Sequence, residues 1–207
     1  MTSPTEQRRT FDAAIAALGA ADTRSALAGF TAVTGANPAM ADAWLGRLAC
    51  GDVAVDTLAA AHANSRALYR ETRRIGVDDG ELHAVVTAPL YVTHPVWSRG
   101  SIAVAYAGAL IGAGRYSEAE AVLDEPVLTA DTQALQWRQL LQASLFHITR
   151  RWTDVRAVTA VCPPVGATHL LDEVTAATTA LSAAAAASLG EVQTALDLAR
   201  KIRTANP

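Results

Sequence analysis

The feature that most constrains this chain is a helix, a tight turn and a second helix folded back on the first, written in residues 102–123 as IAVAYAGALIGAGRYSEAEAVL. Ala103 and Ala107, with Leu110, recur at helical spacing before the turn, and Gly114-Arg115-Tyr116 make the turn itself. Ser117 is placed to cap the next helix, on which Ala119 and Leu123 continue one face. Small residues let a partner backbone approach closely, and an aromatic such as Tyr116 suits the wedge at the turn. Glycine after the first helix supplies the left-handed backbone angle that ends it. Such a hairpin cannot bury its apolar face alone, so the arrangement makes sense only if it recurs.

It recurs. About thirty-six residues further on, Ala143, Phe146, Arg150, Arg151, Trp152, Asp154 and Val155 repeat the layout, with Trp152 in the place of Tyr116. Gly190, Ala195, Ala199, Ile202 and Pro207 give a later copy, and Ala26, Phe30, Val33 and Pro38 share its Ala-x3-Ala/Phe-x2-Ile/Val-x4-Pro spacing. Both end in Ala-Asn-Pro, and proline there stops one helix and suits the link to the next. The expected fold is all-α: a tetratricopeptide-type array of helical hairpins in a right-handed superhelix. Composition agrees, since 46 of the 207 residues are alanine, the strongest helix former.

Along the chain, residues 5–20 read as a first helix with Phe11, Ala14, Ile15 and Leu18 inward. Asp22 or Thr23 caps a second helix that runs to about Thr34, completing a first repeat over residues 5–38. An irregular second unit follows over 39–76, with a short helix from about Ala39 to Ala49 that carries Trp44 and a long one from Val55 to Ile75. The helical period then breaks. In ELHAVVTAPLYVTHPVWSR, residues 81–99, β-branched and aromatic residues flank Ala88-Pro89, which predicts a small β-finger inserted in the array. Regular repeats resume at 101 and continue to 207, so one helical-repeat domain is expected over 1–207.

The same residues exclude several functions. A net charge of −3 gives no reason to expect nucleic-acid binding. No apolar run approaches bilayer length, and the opening MTSPTEQRRTFD lacks the apolar segment of a secretory signal. Cys50 and Cys162, far apart and without neighbouring ligands, read as thiols in a reducing cytoplasm. Lys201, the sole lysine, follows Leu-Ala-Arg rather than a glycine, so no P-loop is present. His62, His83, His94, His147 and His169 lack metal-site spacing, and no G-x-S-x-G elbow occurs. No catalytic residue, cofactor site or metal site is therefore predicted.

Four segments add a family resemblance: MADAWLGRLACGD at 40–52, YRETRRIGV at 69–77, GRYSEAEAVLD at 114–124 and RRWTDV at 150–155. In this order and spacing they resemble the amino-terminal domain of EccA, the cytosolic AAA+ ATPase of type VII (ESX) secretion systems. The resemblance implies a tetratricopeptide array carrying a β-finger, placed before a carboxy-terminal ATPase domain that is absent from this chain. It also implies a role in engaging secreted ESX substrates or their chaperones and in restraining the ATPase, with hexamers formed only through that domain. Activity expected of this chain is therefore binding, without membrane or nucleic acid. The alternative is a generic tetratricopeptide scaffold in another cytosolic complex.

Two sets of residues are candidates within that reading. Arg66, Arg70, Arg73 and Arg74 fall on one side of the long helix and, with Tyr91 and Trp97 of the finger, form the candidate partner-binding set. Guanidinium groups grip carboxylates bidentately, though Glu71, Asp78 and Asp79 could equally neutralise them within the domain. Phe30, Trp44, Ala107, Gly114, Tyr116, Ala119, Trp152 and Ala195 are assigned to packing between repeats.

Overall fold

The computed structural model describes residues 3–74, 99–129, 132–160 and 169–205. Among them the regular structure is helical, with no strand. The helices are α1 (Pro4–Gly19), α2 (Thr23–Ala36), α3 (Ala41–Ala49), α4 (Val55–Arg74), α5 (Arg99–Gly112), α6 (Tyr116–Leu123), α7 (Thr132–Ile148), α8 (Trp152–Ala160), α9 (His169–Ser188) and α10 (Val192–Ala205). A 3-10 turn, Pro126–Thr129, follows α6. The predicted β-finger at 81–99 lies, but for its last residue, outside the described residues.

One turn builds five of the hairpins among the described residues. Where α1, α3, α5, α7 and α9 end, the next residue but one has a positive φ: Ala21 at 61°, Gly51 at 85°, Gly114 at 73°, Arg150 at 60° and Gly190 at 78°. The residue after each donates its N–H back across the turn: Asp22 to Ala17 O, Asp52 to Arg47 O, Arg115 to Leu110 O, Arg151 to Phe146 O and Glu191 to Ala186 O, at 2.7–3.1 Å. This six-to-one bond with a left-handed residue inside it is the Schellman motif, which satisfies helix-end carbonyls and reverses the chain. Glycine occupies three of the five left-handed positions. Alanine and arginine hold the other two, so those turns are harder to recognise in the sequence.

Local chemistry sets the helix starts. Pro4 sits in the first turn of α1, and the Ser3 hydroxyl accepts the Glu6 N–H at 3.2 Å. Of the two caps expected for α2, Asp22 is used: its carboxylate accepts the Ser25 N–H at 3.1 Å. Ser117 does not cap α6. The residue before the helix is Arg115, whose side chain makes no capping bond, because the Schellman bond at Leu110 turns the chain helical two residues early. Ser117 already lies in the first turn.

The chain divides into two compact units, Met1–Ala109 and Leu110–Pro207. In the first, Phe11, Leu18, Phe30, Val33, Leu45, Leu48, Leu58 and Ile102 form the centre of a continuous core. The rings of Phe11 and Phe30 meet edge to face at 5.7 Å. Helices come close where glycine faces them: a methyl built on Gly29 would lie 2.7 Å from the Ala14 β-carbon, and one on Gly46 would lie 2.5 Å from the Phe30 ring. In the second unit α9 packs against α7, α8 and α10. Its alanine run at 183–187 permits this, with Ala185 and Ala186 fully buried.

Candidate protein-binding site

Of the expected packing residues, Phe30, Ala107 and Ala119 are fully buried. Trp44 is half-buried, and its indole N–H donates to Pro38 O at 2.8 Å, tying α3 to the turn before it. Gly114 is a turn residue. Tyr116 leaves 36% of its surface exposed, whereas Trp152, at the equivalent place, is half-buried and meets His147 edge to face at 5.1 Å. Ala195 is half-buried on α10. Arg66, Arg70, Arg73 and Arg74 all lie on the last turns of α4, in a stretch whose side chains fall outside the description. Tyr91 and Trp97 lie outside the described residues.

The side chains that tie successive elements together were not singled out from the sequence. Arg47 on α3 donates to Asp52 Oδ2 from Nε at 2.9 Å and from the second guanidinium nitrogen at 2.6 Å. It also donates to Thr57 at 3.1 Å and to Thr34 at 3.4 Å, and its guanidinium lies 4.8 Å from the Trp44 ring centre. Three helices and a turn thus share one cation. Burial pushes the Asp52 carboxyl up, but hydrogen bonds from Arg47 and Thr57 outweigh it and hold the group below its ordinary value.

In the second unit, Arg151 pairs with Asp154 at 2.6 Å and reaches Glu120 of α6 at 2.7 Å. Its guanidinium covers the Phe146 ring at 4.2 Å. Arg156 donates to Ser182 at 2.9 Å and pairs with Glu191 at 3.3 Å, joining α8 to α9 and to the turn before α10. Arg138 donates to Leu123 O at 2.6 Å, satisfying the end of α6. Four of the sixteen arginines therefore sit where one helix meets the next. The spacing that could have marked Arg151 is Arg-x-x-Asp after its turn, matched by Arg115/Glu118 after the turn at Gly114.

Among the described residues, three carboxyl or amide oxygens are buried without a donor. Asp42, in the first turn of α3, has Oδ1 buried without a partner, and burial pushes its carboxyl up to about 6 against the opposing charge of Arg8. On α7 the amide oxygens of Gln136 and Gln139 are also buried and unpartnered. An unmet buried acceptor costs roughly 1–3 kcal/mol. Among the described residues no three His, Cys, Asp or Glu side chains converge to hold a metal ion. No helix there is long and apolar enough to cross a membrane. Within each unit this arrangement offers packed helices with polar side chains joining them.

A family model for the N-terminal domain of EccA1, a type VII ESX-1 secretion system protein, matches residues 9–206. The chain belongs to this EccA N-terminal domain family. Among its EccA relatives, the ESX-2 secretion system protein EccA2 of Mycobacterium tuberculosis is 40% identical over 190 residues, 92% of this chain and 30% of that protein. The ESX-5 secretion system protein EccA5 of Mycobacterium marinum is 37% identical over 83% of this chain and 27% of its own length. This chain thus spans under a third of the EccA proteins it matches. The crystal structure of the N-terminal domain of EccA1 ATPase from the ESX-1 secretion system of M. tuberculosis shares the fold. Its TM-score is 0.64 at 24% identity, over 95% of this chain and 70% of that one. The EccA fold and the hairpin array read from the sequence are therefore the same object.

Proposed function

We propose that this chain is the non-catalytic protein-binding and regulatory part of a type VII secretion ATPase. In this reading it engages secreted ESX substrates or their chaperones in the cytoplasm and modulates an ATPase domain carried elsewhere in the full-length protein, through which hexamers form. The observation that carries the reading is the pairing of family membership with a hairpin array whose elements are tied by side chains such as Arg151 and Arg156. Ties of this kind hold neighbouring helices of the second unit together, and stacked helical hairpins are what repeat arrays use to grip other proteins. Arg66, Arg70, Arg73, Arg74, Tyr91 and Trp97 are the residues proposed to meet the partner.

Two measurements separate the parts of this proposal. Immobilised chain should retain ESX-type substrates or their chaperones from a defined mixture. Retention no greater than on a blank support would remove the binding role. The ATPase rate of a full-length protein should differ from that of the same protein lacking residues equivalent to 1–207, and equal rates would remove the regulatory role. A generic scaffold in another complex would fail both.

A further inference from the structure

We draw no further inference here: the strongest candidate, the apolar stripe that Leu189, Val192 and Leu196 expose along α10 and the turn before it, is an unpartnered helix face, and nothing in the structure shows what covers it.

Discussion

At the scale of single residues, the most informative group is Asp42. Its carboxyl sits in the first turn of α3, where a helix favours negative charge, yet one oxygen is buried without a donor and its pKa rises from 3.8 to about 6. Burial outweighs both the helix end and Arg8, whose guanidinium is already paired with Asp12 at 3.0 Å. The folded state therefore holds a proton that the unfolded chain releases, and stability falls as pH rises from about 4 through about 6. Replacing Asp42 with asparagine should raise stability at pH 7 by about 1–2 kcal/mol, after discounting for partial exposure and the lost helix-end charge. The same change should flatten the pH dependence over that interval. Denaturant unfolding at pH 4.5 and pH 7 checks both, and a variant less stable at pH 7 would contradict the reading. Asp42 appears in the sequence as an ordinary first-turn acid; only its neighbours make it unusual.

At the scale of elements, the hairpins depend on close approach and on their turns. Gly46 lets α3 lie against the ring of Phe30, and an added methyl would meet ring atoms at 2.5–2.6 Å in a fully buried site. Gly46→Ala should therefore destabilise the chain by about 1–3 kcal/mol through overpacking, seen as a lower denaturation midpoint with an unchanged slope. Turns make the opposite prediction. Ala21 holds a left-handed conformation at φ 61° on an exposed turn, where a β-carbon is strained. Ala21→Gly should stabilise by about 0.5–1 kcal/mol, the relieved strain exceeding the added freedom of the unfolded chain. Thermal melts compare the two, and loss of stability on introducing glycine would refute the strain. These turns also show why the array was only partly legible. Gly51, Gly114 and Gly190 announce their turns, but Ala21 and Arg150 reach the same geometry because the helices on either side hold them there. The expected cap at Ser117 failed for a related reason: the turn's own hydrogen bond, made before the serine is reached, decided where α6 begins.

At the scale of the whole molecule, the chain is acidic overall yet carries 16 arginines and one lysine, with several arginines placed where helices meet. Guanidinium is suited to that position because its planar fork can bond a carboxylate, a hydroxyl and a ring face together. Its sole lysine lies in α10 after Leu-Ala-Arg, not after the glycine that a P-loop places there, and the non-catalytic reading proposed above makes a direct prediction. Purified residues 1–207 should release no phosphate from ATP above a blank, and a phosphate-release assay checks this. What residue order alone determined was the type of structure: alanine-rich helical stripes, punctuated by glycine and proline, have few ways to bury their small apolar faces except by pairing and stacking. What only the tertiary structure decided was which polar groups are satisfied. Nothing along the sequence marks Arg47 as the side chain that joins three helices, and Gln136 and Gln139 look no different from Gln142. Whether each finds a partner depends on residues brought near it by packing, and a one-dimensional pattern carries spacing along the chain but not the neighbours across it.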